Sequence, residues 1–380
     1  MRTIVQVAPE IGPGTGVGSV AFHLEQEWVR RGHRVLRFTL EDSGGSFIPR
    51  PDGRLAGRLA LLARVVWFSF VGSAQARRFL RRHPDAVSVC HNDALVGDIY
   101  VNHGLIQAAM RSRGSYTWRM ARNPVHLFTT VRDRRRYASA VHRTIVNLSD
   151  EDDRLLRRMN PGLVPPTAVI NNGVDTDVYA PPRSADRAAV RRSLGVATDE
   201  TLAIFVGHEY ARKGLDLVID ALDRCPASVK LVVVGGSAGM IQSMSARPAA
   251  RRHESRITFV GASADPREWL KGADVLCLPS AYEASPLVVL EALAMGVPVI
   301  GTSTGSIGDV VHDGIDGYVV DRTVDAVAAA LADLAAADSA AMRAAARATA
   351  LEHSWGRVAE RYLDLFDRIE AARGRTREPA

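Results

Sequence analysis

The sequence predicts an α/β chain built from two doubly wound, Rossmann-like domains that face each other across a cleft. Short apolar runs alternate with amphipathic segments along the whole length, the pattern of repeated strand–helix units. The alternation stops at a turn-rich stretch, Asn171-Asn172-Gly173-Val174-Asp175 followed by Pro181-Pro182-Arg183, and then starts again. The 380 residues, 47% hydrophobic and 24% charged, suffice to bury about two cores of ordinary size.

In the first half, strands are expected at 4–7, 35–40, 87–90, 99–101, 144–147 and 168–170. Gly12 to Gly18 forms a loop after the first strand. Val20, Leu24, Trp28 and Val29 then fall at helical spacing, and Gly32 stops that helix. In the second half, strands are expected at 202–206, 230–234, 257–260, 275–278, 298–301 and 318–320. Val358, Tyr362, Leu365, Phe366 and Ile369 form the stripe of a terminal packing helix at 355–373. The expected division is 1–175, joined by that helix packing back toward it, and 176–354. Ligands of such folds bind at the carboxyl ends of the strands, so the cleft is the expected site.

Composition excludes a disordered or fibrous chain. Cys90, Cys225 and Cys277 lie far apart without metal-ligand spacing and read as buried free thiols of a reducing compartment. The N-terminal apolar run is too short for a signal peptide and leads into the glycine-rich loop, so a cytoplasmic location is expected. Residues 1–175 hold 25 Arg, no Lys and 15 Asp and Glu, a net of +10; the remainder holds 23 basic and 27 acidic residues, a net of −4. A basic first half favours an anionic partner, or is simply a solvated arginine-rich surface. The segment 58–82 is apolar between Arg58 and Arg64 on one side and Arg77, Arg78, Arg81 and Arg82 on the other. Its uninterrupted part, 65–76, is shorter than the roughly 20 residues of a span. It reads as a peripheral contact at the inner face of a membrane, or as a buried helix with basic ends.

Three motifs carry chemistry. In Gly12-Pro13-Gly14-Thr15-Gly16-Val17-Gly18, backbone amides at a helix start can approach a phosphate; a ligand-free tight turn is the alternative. Gly16, Gly18 and Ala21 also fit a dinucleotide fingerprint, with Glu41 or Asp42 as its acidic partner, so an NAD(P)-dependent oxidoreductase stays open here. Arg212-Lys213-Gly214 follows a strand, and its cations could clamp a diphosphate; Lys213 is one of only three lysines. The third runs from Pro279 to Val299. Pro286 suits a first helical turn and Gly296 a stop, so Glu283 lies before the helix and Glu291 in its second turn. The free amides of Leu287 and Val288 would face an anion, while one carboxylate takes sugar hydroxyls and the other a ribose diol.

This last segment resembles the Glu-x7-Glu signature of family 4 retaining glycosyltransferases of the GT-B fold. The resemblance extends over nearly the whole chain: the glycine loop, Gly32-His33, Ile170 to Asp175 (with Asn171 where the family has proline), Arg212-Lys213-Gly214, Thr304 to Ile307 and Asp313 to Gly317. It implies that Gly16 and Val17 approach the donor diphosphate and that Arg212 and Lys213 neutralise it. It further implies that Glu283 supports the reacting sugar and Glu291 binds the ribose. His103, in Val101-Asn102-His103-Gly104, matches the histidine that faces the donor sugar, and His91 is a candidate on the acceptor side; a structural histidine is the alternative for each. His208 stands where the family has arginine. The implied activity is retaining hexosyl transfer from a nucleotide sugar, UDP- before GDP-, without metal or cofactor. The acceptor would be phosphorylated, lipid-linked or a glycan. Arg111, Arg113, Arg119, Arg122 and Arg132 to Arg136 support an anionic one. No nucleic-acid partner is expected. A sugar-nucleotide epimerase, a phosphorylase or a non-catalytic scaffold of the same fold remain alternatives.

Overall fold

The computed structural model describes residues 1–14, 16–50 and 55–375; Thr15 and the side chains of Leu55, Ala56, Arg58, Arg119, Ala121 and Arg375 lie outside the described residues. The chain divides into two compact units, residues 1–172 with 355–380 and residues 173–354. Each contains one fully parallel six-stranded sheet.

The first sheet holds β1 (Thr3–Val7), β2 (Arg34–Phe38), β3 (Val87–His91), β4 (Ile99–Asn102), β5 (Thr144–Asn147) and β6 (Thr167–Val169) in the order β2-β1-β3-β4-β5-β6. The chain leaves β1 for β2 on one side and returns to β3 on the other. This reversal opens a crevice at the carboxyl ends of β1 and β3. Helix Val17–Arg30 begins directly after β1, with Gly16 as its N-cap at φ 82°, a left-handed conformation that glycine adopts freely. Its Trp28 is fully buried and meets Tyr362 and Phe366 of the terminal helix Trp355–Arg375 at ring distances of 5.9 and 5.4 Å.

Residues 55–81 form one continuous helical run through Leu55–Trp67, a π-helical turn Phe68–Gly72 and Ser73–Arg81. The apolar stretch therefore extends past Arg64, whose guanidinium turns to Glu10. Leu59–Arg81 is long and apolar enough to cross a membrane by length and composition, but 39% of its most apolar window is buried within the protein. Phe68 and Phe79 pack on Phe38 at the end of β2.

The second sheet holds β7 (Thr201–Val206), β8 (Val229–Val234), β9 (Ile257–Gly261), β10 (Val275–Leu278), β11 (Val299–Gly301) and β12 (Gly317–Val319), ordered β12-β11-β10-β7-β8-β9. Here the reversal lies between β7 and β10, so the turns after those strands share one crevice. The core is aliphatic, and Phe205, Leu276 and Ile300 are fully buried. Cys90 and Cys277 are buried thiols and Cys225 is half-buried; burial pushes Cys90 up to about 12.

Candidate active site

In the second unit, the turn after β7 carries Gly207 and His208 and leads into the short helix Tyr210–Lys213. The loop after β10 carries Ser280 to Pro286 and leads into helix Leu287–Ala294. Pro286 is the N-cap of that helix (φ −72°, ψ 111°) rather than a member of its first turn, and Gly296 lies just past its end at φ 68°. The amides of Leu287 and Val288 thus occupy the first two helical positions, which have no intrahelical acceptor.

The reversal in strand order brings three of the sequence-selected residues together. Glu283 is buried, and its Oε1 accepts from Lys213 Nζ at 2.9 Å and Ser280 Oγ at 3.0 Å, with Arg212 Nη1 at 3.1 Å. Arg212 also donates from Nε to Glu209 at 2.7 Å and from Nη1 to the Tyr282 carbonyl. All three of these partners reach the same oxygen of Glu283. The turn at Gly305 holds this loop in place: φ is 54°, and a Cβ there would stand 2.3 Å from the Glu283 carbonyl oxygen.

Glu291 does not join that cluster. It accepts from the Tyr179 hydroxyl, with Asp265 nearby. Burial pushes its pKa up to about 7; the Tyr179 bond opposes this and Asp265 adds to it. Tyr179 lies in the segment that begins the second unit and carries no motif, so sequence reasoning missed it. His208 Nδ1 accepts from the Gly236 amide at 3.1 Å, which leaves Nε2 as the hydrogen-bearing nitrogen of the neutral ring.

In the first unit, the crevice holds a chain of polar side chains behind the glycine loop. Gln6 Nε2 donates to the Ala21 carbonyl at 2.7 Å, His91 Nε2 lies 3.0 Å from Gln6 Oε1, and His91 Nδ1 lies 2.9 Å from His103 Nε2. A carbonyl only accepts, so Gln6 must turn its NH2 to Ala21 and its oxygen to His91. His91 then carries its proton on Nε2 and accepts at Nδ1, and His103 must donate from Nε2. The neutral His103 ring therefore keeps a lone pair on Nδ1. Burial pushes His103 down to about 3 and His91 well below its usual value, so both rings are neutral near pH 7. His91 is fully buried with both nitrogens engaged, so it stands behind His103 instead of reaching an acceptor itself. Gln6, a fully buried polar residue within an apolar strand, was the overlooked signal.

The loop that follows His91 is pinned by charge. Arg136 is fully buried; it donates to the Asn92 carbonyl at 2.7 Å and lies 3.7 Å from the centre of the Tyr100 ring. Arg132 bonds Asp93 at 2.6 Å. These arginines are therefore structural. A pocket of about 760 Å³ opens beside the glycine loop, lined by Glu10, Gly12, Ser19, Arg37, Arg50 and Arg64. Asp42 accepts from Thr39 N at 2.7 Å and Thr39 Oγ1 at 2.9 Å and is committed to that turn.

Residues 14–178 match the model "Glycosyltransferase Family 4", and residues 186–351 match "Glycosyl transferases group 1". Together the two models support a family 4-like glycosyltransferase. This glycosyltransferase-like chain is 34% identical over 218 residues to the D-inositol 3-phosphate glycosyltransferase of Xylanimonas cellulosilytica, covering 52% of this chain and 50% of the relative. The chain thus spans about half the length of that curated relative. Among solved structures, WaaG, a glycosyltransferase involved in lipopolysaccharide biosynthesis, superposes with a TM-score of 0.71 at 21% identity, over 95% of this chain and 99% of that one. Sucrose-phosphate synthase from Thermosynechococcus elongatus gives 0.73 at 18% identity, over 98% and 100%. Both share the GT-B fold, two parallel six-stranded sheets with alternating helices.

Proposed function

We propose that the chain is a retaining hexosyltransferase that takes its sugar from a nucleotide donor, UDP- before GDP-, without a required metal or cofactor. The observation that carries this reading is Glu283 held by Lys213, Arg212 and Ser280 in the loop before a helix N-terminus. That grouping supports the reading because a fixed carboxylate suits sugar hydroxyls, and cations and helix-start amides suit a diphosphate. In this reading Arg212, Lys213 and the Leu287 and Val288 amides face the diphosphate of a bound donor, and Gly16 and Val17 are assigned to it by the family resemblance alone. His208 donates from Nε2 where the family has arginine. The acceptor hydroxyl attacks from the face that the diphosphate leaves, and the departing phosphate takes its proton. The new glycosidic bond forms as the sugar–phosphate bond breaks, so no protein base is needed.

We place the acceptor in the pocket beside the glycine loop, where Arg37, paired with Glu25, and Arg50 and Arg64, paired with Glu10, would exchange those partners for an anionic group. The names of two proteins similar to this chain include a phosphorylated polyol or sugar, which favours a phosphorylated acceptor. A cytoplasmic enzyme with a peripheral membrane contact through 58–82 accords with the basic first half of the sequence.

Thermal stability measured against UDP, GDP, UDP-hexoses, GDP-mannose and NAD(H), with and without added divalent metal, tests the class, because a ligand of the folded state raises Tm. A rise with one nucleotide family, lost in Glu291→Ala, is the expected result. A rise with NAD(H) alone would return the reading to an oxidoreductase. Incubation with donor alone then separates transfer from epimerisation.

We assign His103 Nδ1, which keeps a lone pair, to a hydroxyl of the donor sugar, with Gln6 and His91 as positioning residues. In Gln6→Leu, kcat should fall about tenfold, the scale of one hydrogen bond, with donor KM little changed. The 15N shifts of His103 should show loss of the single Nε2–H tautomer. An unchanged tautomer ratio in that variant rules the relay out.

A further inference from the structure

The segments 55–82 and 105–143 contain a single acidic residue, Asp133, and it is bonded to Arg132 and Arg136. Each segment also presents an exposed stripe that begins apolar and ends in arginine. Along the first helical run the stripe is Leu59, Ala63, Phe70 and Ala74, followed by Arg77, Arg78 and Arg81. Along helix Pro124–Tyr137 it is Pro124, Leu127 and Val131, followed by Arg134 and Arg135. The two elements meet where the Phe70 and Phe128 rings pack edge-on at 5.9 Å, and Arg132 Nη1 reaches Ser69 Oγ at 3.3 Å. Nearby on the chain, Trp118 is exposed with the Arg122 guanidinium 4.8 Å from its ring centre. Leu59, Phe70, Trp118, Leu127 and Val131 are each more than half exposed. With Leu61 they make up six of the thirteen exposed large apolar side chains among the described residues, so the exposure is concentrated here.

We infer that this double-helical face is a docking surface for an anionic lipid bilayer. It extends the contact at 58–82 to helix Pro124–Tyr137 and does not depend on the reaction the protein catalyses. The charge pattern selects the occupant. Exposed apolar side chains next to arginines, with no unpaired carboxylate, match acyl chains beneath a negative headgroup layer. The run 59–81 lies on such a layer and does not cross it, because its opposite face, Phe68, Ser69, Gly72, Ser73 and Ala76, is sealed against the protein.

Flotation of the full chain with vesicles tests this surface. At low salt the protein should float with phosphatidylcholine vesicles that contain about one-third phosphatidylglycerol and stay behind with phosphatidylcholine alone. The triple variant Leu59→Ser, Leu127→Ser, Val131→Ser should lower the bound fraction about tenfold or more with Tm unchanged, since all three side chains are more than half exposed. The variant Arg77→Gln, Arg78→Gln, Arg134→Gln, Arg135→Gln should lose binding to the anionic vesicles as well. Absence of flotation overturns the inference. So does equal flotation of the serine variant, which would reduce the attraction to net charge. Conversion of a parent dimer to monomer by the serine variant would overturn it in favour of a second copy of this chain.

Discussion

Replacing Glu283 by glutamine lowers kcat for transfer by about a hundred- to a thousandfold, the range found when one electrostatic group is removed from a reacting centre. The substitution preserves volume, so the loop before helix Leu287–Ala294 keeps its shape. What it removes is the charge that holds Lys213 at 2.9 Å and Arg212 at 3.1 Å. Both cations are mostly buried, and a buried charge stripped of its partner is costly, so the ligand-free variant should also lose about 1–3 kcal/mol of stability. A nucleoside diphosphate supplies the missing anion. The rise in Tm on adding the diphosphate should therefore be larger in Glu283→Gln than in the parent, even as transfer collapses. A purely structural Glu283 would show the stability loss while kcat stayed within a few-fold of the parent. That outcome would remove the carboxylate from the chemistry.

The fold was legible in the sequence because parallel strands covered on both faces read as continuous apolar runs. Each of the twelve expected strands is present, with ends displaced by no more than two residues, as at β2 (Arg34–Phe38 against 35–40). The placement of Glu283 before helix Leu287–Ala294 and of Glu291 within it was legible too, since a helix start and its first turns fix local positions. What the sequence could not reveal depends on which strands become neighbours. Gln6 and His91 meet only because β1 lies beside β3, with Gln6 in register with Val89. Tyr179 reaches Glu291 from more than a hundred residues away. The long helix was underestimated because Arg64 reads as the end of an apolar stretch when only composition is weighed. Arginine is itself a good helix former, so the helix runs through it unbroken while its side chain pairs with Glu10. His91 shows the converse limit. A histidine beside a strand end looked like a ligand contact, but burial and two engaged nitrogens place it one step behind the histidine that could be one.

Glu291 makes the protein less stable at high pH, and Glu291→Gln should relieve that. Burial raises its folded pKa to about 7, above the ordinary 4.5 of the unfolded chain. Below about pH 4.5 both states hold the proton and the residue imposes no penalty. As pH rises toward 7 the unfolded chain releases its proton while the folded protein retains it, so stability falls, and the loss is complete once pH exceeds the folded value. The shift corresponds to about 2–4 kcal/mol. Ligand-free Glu291→Gln should therefore melt several degrees above the parent at pH 8 and close to it at pH 5, by differential scanning calorimetry. The Tyr179 hydroxyl can donate to a glutamine oxygen as well, so the comparison isolates the charge. In the proposed role, ribose hydroxyls that donate to the carboxylate would favour its ionised form. Nucleotide binding to the parent near pH 6 should then release protons, detectable by titration calorimetry in buffers of different ionisation enthalpy. The same titration of Glu291→Gln should show weaker binding, by about ten- to a hundredfold, and no proton release. A gap in Tm that stays constant from pH 5 to 8 would mean that the carboxylate is already ionised in the folded protein, and the ribose role would lose its pH signature.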